Sequence, residues 1–119
     1  MVGIIDYGLG NLGSIQNMLK VIGEKSIISS NQDILNTCDR FILPGVGAFD
    51  AGMTRLSESG LENFIKRKAL EDRVPILGIC LGMQLLGRKS EEGILPGLGL
   101  IPFDNIRFRL DDTDLRVPH

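Results

Sequence analysis

The sequence predicts an α/β fold with a mostly parallel, open sheet and helices on both of its faces. Short apolar runs alternate along the chain with segments of helical period, and glycine-rich turns follow several of those runs. This alternation is typical of βαβ units, whose strands pair in parallel. The 119 residues suffice for one domain. The predicted strands are Val2–Asp6, Lys25–Ser29, Arg40–Leu43 and Pro75–Ile79.

A first helix is predicted between the first two strands. Leu12, Ile15, Leu19 and Ile22 recur there at three- and four-residue spacing. This period gathers the apolar residues on one face, which we expect to be buried. Gly23 is expected to end the helix, because glycine accepts the left-handed conformation of a C-cap without strain.

A second helical region runs from about Asp50 to Glu71. Gly60 is expected to interrupt it. Ser59 and Glu62 have the spacing of a capping box that would restart the helix. The residues predicted to face inward are Leu61, Phe64, Ile65 and Ala69.

Beyond Leu86 the sequence predicts loops, followed by a β-hairpin attached to the parallel core. Apolar residues alternate with arginines before an acidic turn, and further apolar residues follow it. We interpret the aspartates of this turn as solvated side chains, because no glycine turn or distal glutamate completes a calcium loop. The hairpin positions are Ile106, Phe108, Leu110, Asp111, Asp112, Asp114, Leu115 and Val117.

The composition excludes several classes of partner. The net charge is −2 and the basic residues are thinly spread, which argues against nucleic acid and anionic membrane surfaces. No apolar run is long enough to span a bilayer, and the N-terminus lacks the features of a secretory signal. Cys38 and Cys80 have unlike surroundings, so a reduced, cytoplasmic setting is expected and Cys38 is interpreted as structural. We expect no metal site and no cofactor.

Cys80 is the candidate nucleophile. It lies in Gly78-Ile79-Cys80-Leu81-Gly82, between an apolar strand-like run and an apolar helix-like run. This is the nucleophile-elbow pattern with sulfur in place of oxygen, and its tight turn requires small residues on both sides. The N-terminus of the following helix would favour the thiolate. The alternative is a small buried thiol that closes a strand.

A second glycine cluster, Pro44-Gly45-Val46-Gly47, follows the third predicted strand. In a parallel sheet this turn opens at the same edge as Cys80. Its backbone N–H groups could form half of an oxyanion hole, with the N–H of Leu81 as the other half. The alternative is an ordinary turn between strand and helix.

The segment Gly8–Gly13 has the form G-x-G-x-x-G and could cradle the pyrophosphate of a dinucleotide. Asp6 argues against this because it puts a carboxylate beside the supposed phosphate. The second strand is also followed by Ser29, Ser30 and Asn31 rather than by a ribose-binding acid.

Taken together, these motifs resemble class I glutamine amidotransferases, most closely the glutaminase subunits of imidazole glycerol phosphate synthases. The resemblance covers the whole chain. It implies a flavodoxin-like sheet and makes the dinucleotide interpretation unnecessary. The segments that carry it are Asp6–Ser14, Pro44–Phe49, Gly78–Leu86 and Arg116–His119.

The resemblance implies a chemistry and assigns residues to it. The thiolate of Cys80 would attack the side-chain amide of glutamine and form a thioester, which water then hydrolyses to glutamate. Backbone N–H groups around Val46 and of Leu81 would hold the oxyanion. Gly47 and Gln84 would help to hold the glutamine.

In this family the ammonia crosses to a (β/α)8-barrel cyclase subunit, with which the glutaminase forms a heterodimer. Asn11 and the segment around His119 would face that partner. The sequence leaves two alternatives open: a paralogous glutaminase that supplies another acceptor, for instance in amino-sugar synthesis, and a non-enzymatic α/β module with an idle Cys80.

The family's catalytic histidine and glutamate lie well downstream of the elbow, and the 119 residues do not contain them. His119 matches the partner-facing loop, so it does not take the role of general base. We therefore expect residues 1–119 to form a single amidotransferase domain truncated at the C-terminus, with an incomplete sheet. We also expect this piece to be inactive when alone.

Overall fold

Four short parallel strands form the central sheet of the computed structural model, which describes residues 1–102 and 104–105. The order across the sheet is second, first, third, fourth. In register, Ile4 of the first strand lies between Ile28 of the second and Ile42 of the third. Leu43 lies opposite Gly78 of the fourth. The strands are β1 (Val2–Ile5), β2 (Ser26–Ser29), β3 (Arg40–Leu43) and β4 (Ile76–Gly78).

Helices connect these strands, and a small second sheet follows them. In that sheet the strands β5 (Lys89–Ser90) and β6 (Asp104–Asn105) pair in parallel. The helices are α1 (Leu12–Val21), α2 (Gln32–Leu35), α3 (Phe49–Ser59), α4 (Leu61–Leu70) and α5 (Leu81–Leu85).

Side chains alternate between the two faces of the sheet, so each face has its own apolar core. On one face, Ile15 and Leu19 of α1 pack on β1 and β3; the buried strand residues there are Val2, Ile4 and Ile42. On the other face, α3, α4 and α5 cover Phe41 and Leu43 of β3. The prediction of helices on both faces of a parallel sheet is therefore confirmed.

The helix boundaries follow the glycines that the sequence marked. Gly23 follows α1 with φ of +85°, and Gly60 separates α3 from α4 with φ of +76°. Both values lie in the left-handed region that glycine tolerates best. Of the four residues predicted to face inward from α4, Leu61, Phe64 and Ile65 are fully buried and Ala69 is half-buried.

The predicted capping box at Ser59 and Glu62 is wrong. Gly60 is the N-cap of α4. The Ser59 hydroxyl accepts a hydrogen bond from the Leu61 N–H at 3.4 Å, not from the Glu62 N–H as a capping box requires. The Ser59 hydroxyl also donates to the Leu56 carbonyl at 3.1 Å, and Glu62 pairs with Lys66 at 3.2 Å. A Ser59 cap would require Ser59 to lie outside both helices. Instead Gly60 is the residue between them, and Ser59 is the last residue of α3.

Two features of the C-terminal third bear on the predicted sheet. The residues predicted to form a β-hairpin, 106–117, lie outside the described part of the chain. Within the described part, no strand pairs with the outer edge of β4, and Leu77 on that strand is 60% exposed.

In the same part of the chain, no helix has the length and apolar character needed to cross a membrane.

Candidate active site

Three loops meet at the carboxyl edge of the sheet. They follow β1, β3 and β4, whose order places the three strand ends side by side. The helices after β1 and β3 lie on opposite faces, so a crevice opens between these two strands. The candidate nucleophile Cys80 comes directly after β4, beside the β3 loop. This arrangement is the one that the glycine patterns predicted.

Cys80 has a backbone conformation that L-residues rarely adopt. Its φ of +54° and ψ of −119° lie outside the allowed regions for a residue with a Cβ. Such strain costs about 1–3 kcal/mol and persists only where the surroundings impose it, which is typical of functional positions. Arg73, in the exposed loop before β4, is the other described non-glycine residue with a positive φ.

Close packing on both sides of Cys80 imposes this conformation. A Cβ at Gly78 would lie 2.6 Å from the Cα of Met83 in the following helix. A Cβ at Gly82 would overlap the main-chain carbonyl of Leu43 in β3. Both contacts are with backbone, which cannot move aside. The requirement for small residues on each side of the elbow is therefore confirmed.

The two cysteines differ in access to solvent. Cys80 is exposed at the start of α5, whereas Cys38 is 6% exposed and lies in the apolar core. The Cys38 sulfur packs 3.1 Å from the position that a Cβ on Gly3 would occupy. Cys38 is thus a core residue, as predicted, and Cys80 is the thiol that is accessible to solvent.

The two predicted oxyanion donors do not converge in this conformation. The Leu81 N–H donates to the Gly45 carbonyl at 3.1 Å, so the first donor is already occupied. The Gly45–Val46 peptide is trans. Its N–H therefore points away from Leu81, since the C=O and N–H of a trans peptide point in opposite directions. Rotation of this one peptide by about half a turn would free Leu81 and aim the Val46 N–H towards it.

The β3 loop has room for such a rotation. Val46 is 56% exposed, and Gly47 and Ala48 are also exposed. Gly47 has φ of +113°, and a Cβ there would meet no atom within 4 Å. Gly45, in contrast, is buried against helix α5. A Cβ on Gly45 would lie 3.1 Å from the Cβ of Leu81. The loop is therefore fixed at Gly45 and open beyond it.

Tyr7 is a residue of this site that the sequence analysis missed. It is 4% exposed, and its hydroxyl donates to the Pro44 carbonyl at 2.5 Å. Burial raises the pKa of its phenol well above the ordinary range, so the hydroxyl keeps its proton. The two residues are 37 positions apart in sequence, so no local pattern reports the contact.

The loop after β1 packs on the β3 loop. Gly10 has φ of +125°, and a Cβ there would lie 3.2 Å from both the Gly45 nitrogen and the Pro44 Cβ. The Asp6 carboxylate accepts a hydrogen bond from the Gly8 N–H at 3.1 Å, in the place where a dinucleotide phosphate would need a donor. Asn11 is exposed and makes no side-chain capping bond to α1.

Gln84 lines a cavity of about 270 Å³ beside the elbow helix, together with Ser90, Glu92, Asp104 and Asn105. The Asn105 amide donates to the Gln84 carbonyl at 3.0 Å, which ties β6 to α5. Val46 and Gly47 are exposed at the same edge of the sheet as Cys80. His119 lies outside the described residues.

The sequence model of the family "Glutamine amidotransferase class-I" matches residues 3–112. The chain therefore belongs to the class I glutamine amidotransferase family. A solved structure described as a crystal structure of glutamine amidotransferase superposes with a TM-score of 0.72 at 22% identity. It covers 89% of this chain and 56% of the other, and it supports the fold.

Curated relatives place the chain more narrowly. It is 47% identical over 119 residues to the "Imidazole glycerol phosphate synthase subunit HisH 2" of Methanococcus maripaludis. It is 48% identical over 119 residues to the protein of the same name from Pseudomonas aeruginosa. A "subunit HisH" from Bacillus licheniformis is 47% identical over 125 residues. Each match covers this chain in full, and the chain spans 58% of the length of each relative.

Proposed function

We propose that this chain provides the nucleophile and the oxyanion loop, Pro44–Ala48, of a glutaminase that serves imidazole glycerol phosphate synthase in histidine biosynthesis. The observation that supports it most is the strained, exposed elbow at Cys80, positioned beside a glycine-rich loop in a member of this family. An exposed thiol in a conformation that costs free energy needs a functional reason. Attack on an amide carbonyl supplies one.

In the proposed reaction, the Cys80 thiolate forms a bond to the amide carbon of the glutamine side chain. The carbonyl oxygen becomes an oxyanion, which the N–H groups of Val46 and Leu81 stabilise. The carbon–nitrogen bond then breaks, and the nitrogen leaves as ammonia after taking up the proton that the Cys80 thiol lost, which the family's histidine would carry between them. Water attacks the resulting thioester and releases glutamate and the free thiol. Gly47 and Gln84 contact the bound glutamine.

Residues 1–119 in this conformation leave two requirements of the reaction unmet: a general base and a free oxyanion donor. The family's general base is a histidine, and the single histidine of this sequence, His119, is assigned to the partner-facing loop. We therefore propose that residues 1–119 do not turn over glutamine by themselves. The second need is conformational, because the Leu81 N–H stays bound to the Gly45 carbonyl until the Gly45–Val46 peptide rotates.

The proposed acceptor of the ammonia is a (β/α)8-barrel cyclase subunit, which would form a cytoplasmic heterodimer with the glutaminase. Support comes from relatives that are named as subunits of imidazole glycerol phosphate synthase. Asn11 is exposed at the carboxyl edge of the sheet, close in sequence to the loop that packs on Pro44 and Gly45. With His119, it is proposed to face the cyclase. The pair would act as a hydrolase coupled to a lyase.

The test is glutamate formation by the full natural protein, with and without the barrel cyclase, and with Cys80→Ser as the matched variant. We expect hydrolysis that the cyclase stimulates and that Cys80→Ser abolishes. Hydrolysis that survives Cys80→Ser would contradict the assignment of the nucleophile. Absence of hydrolysis in the complex would contradict the function.

A second candidate is a glutaminase that supplies a different acceptor enzyme, for example in the synthesis of an amino sugar. Two of the three relatives described above carry the number 2 in their names, as a second subunit of this type would. Rescue of a histidine auxotroph by the full natural gene distinguishes the two candidates. Growth without histidine supports the cyclase as acceptor, and failure to grow despite measurable glutaminase activity supports the second candidate.

A further inference from the structure

The first two residues of the oxyanion loop, Pro44 and Gly45, are held in place from three sides. On the first side, the Tyr7 hydroxyl donates to the Pro44 carbonyl from within the apolar core. Gly10 of the β1 loop lies against Pro44 and Gly45. The start of α5 closes the third side, since a Cβ on Gly45 would lie 3.1 Å from the Cβ of Leu81.

This clamp ends abruptly at one peptide. Pro44 and Gly45 are buried, whereas Val46, Gly47 and Ala48 are exposed. The boundary coincides with the Gly45–Val46 peptide, whose rotation the proposed chemistry requires. For one peptide plane to rotate alone, the residue on one side of it must stay fixed. Otherwise the whole loop moves together with the peptide. The Pro44 carbonyl, held by Tyr7, has the position of that fixed neighbour.

We propose that Tyr7 is a positioning residue for the glutaminase reaction: its hydroxyl holds the Pro44 carbonyl, so that only the Gly45–Val46 peptide reorients when the oxyanion hole forms. This inference rests on the function proposed above. Tyr7 does not contact glutamine and acts through the loop alone. Without its hydroxyl, Gly45 leaves its place against Leu81, and the Val46 N–H no longer reaches the oxyanion.

The phenol is well suited to this task. The tyrosine is 4% exposed, and its ring belongs to the same apolar core as Phe49 and Leu81. The ring is therefore held by packing, and the hydroxyl has a defined position. Because burial keeps the phenol protonated, the group remains a donor throughout the working pH range. The Gly45 position must lack a Cβ, which would overlap this hydroxyl.

The experiment compares Tyr7→Phe with wild type in the full natural protein bound to its cyclase. The substitution removes the hydroxyl and keeps the ring. We expect kcat for glutamine hydrolysis to fall by about 3- to 10-fold, the effect of one lost hydrogen bond, with KM changed less than about twofold. Alkylation of Cys80 by iodoacetamide, which needs no oxyanion hole, should keep its rate.

A second measurement and a control variant separate positioning from general stability. Hydrogen exchange of the Leu81 amide should become about 3- to 10-fold faster in Tyr7→Phe, because its acceptor on Gly45 is held less firmly. Ile15→Val trims the core on the opposite face of the sheet and should change neither kcat nor this exchange rate.

Three results would overturn the inference: an unchanged or increased kcat in Tyr7→Phe, an equal loss of kcat in Ile15→Val, or a Leu81 exchange rate that stays at the wild-type value. Failure of the wild-type complex to hydrolyse glutamine would instead overturn the proposed function. The exchange rate of Leu81 would still decide whether Tyr7 holds the loop.

Discussion

The strained elbow predicts that replacing the nucleophile can stabilise the protein. Cys80 has φ of +54° and ψ of −119°, a conformation that glycine adopts readily and residues with a Cβ do not. The substitution Cys80→Gly removes the Cβ and with it the strain. The side chain is exposed, so its loss leaves no cavity in the core.

The magnitude follows from two opposing terms. Relief of the strained conformation is worth about 1–3 kcal/mol. Glycine also gives the unfolded chain more freedom, which costs about 0.4–1 kcal/mol of stability. The net expectation is a gain of about 1 kcal/mol, which corresponds to a rise in Tm of about 4 °C for a chain of this size. In the full natural protein bound to its cyclase, the same substitution should abolish glutamine hydrolysis.

The assay is equilibrium unfolding in urea, followed by circular dichroism, with two matched variants. Cys80→Ala lacks the thiol but keeps the Cβ and therefore the strain, so its stability should stay close to that of wild type. Arg73→Gly relieves the other positive φ, outside the three active-site loops, and should gain a similar amount without loss of activity. A Cys80→Gly variant no more stable than Cys80→Ala would refute the argument that the elbow stores strain.

Three further perturbations have defined outcomes. Gly82→Ala forces a methyl group into a main-chain carbonyl of β3 and should destabilise the protein by about 2 kcal/mol or more in urea unfolding. Within residues 1–119 Tyr7 is the single tyrosine and there is no tryptophan, so the absorbance of this 119-residue chain at 295 nm reports the ionisation of Tyr7 alone. Burial raises its pKa above the ordinary 10.0, so its contribution to stability is complete below pH 10 and is lost as the pH rises through the folded-state pKa. Asp50→Ala removes the carboxylate that accepts the N–H groups of Ile94 and Leu95, whose amide exchange should quicken about tenfold.

Each of these has its control. Gly13→Ala adds a methyl group in α1 where no atom lies within 4 Å, and it should be neutral or stabilising. If Gly82→Ala and Gly13→Ala change the free energy of unfolding equally, the elbow tolerates a Cβ and the argument is wrong. A tyrosine that ionises near pH 10 while the protein stays folded would contradict its burial. Unchanged exchange at Ile94 would mean that Asp50 does not anchor that loop.

Local patterns were enough to predict the sheet and the elbow. The four strands were placed to within one residue at each end, because each is a short apolar run bounded by turn residues. Gly23 and Gly60 ended helices where predicted, since a left-handed conformation has few other occupants. The elbow could be predicted because Gly78 and Gly82 lie two residues on either side of Cys80. The clash at Gly78 is with the nearby Met83, whereas the clash at Gly82 is with the distant Leu43 carbonyl and has no local signal.

Features that depend on distant contacts could not be predicted in this way. The hydrogen bond between Leu81 and Gly45 joins two loops and depends on the orientation of one peptide. The bond between Tyr7 and Pro44 spans 37 positions. The four-residue helix α2 was missed, although its cap was visible in Asn31, whose side chain accepts from the Asp33 N–H at 2.8 Å.

The most direct test of the central claim, that Cys80 attacks a bound glutamine, is the site at which a glutamine-shaped electrophile attaches. The full natural protein with its cyclase is treated with 6-diazo-5-oxo-L-norleucine, and the modified peptide is identified by mass spectrometry. We expect one adduct, on Cys80, that excess glutamine suppresses, with the buried Cys38 unmodified. An adduct shared between the two cysteines, or one that glutamine does not suppress, would contradict the assignment of Cys80 as the glutaminase nucleophile.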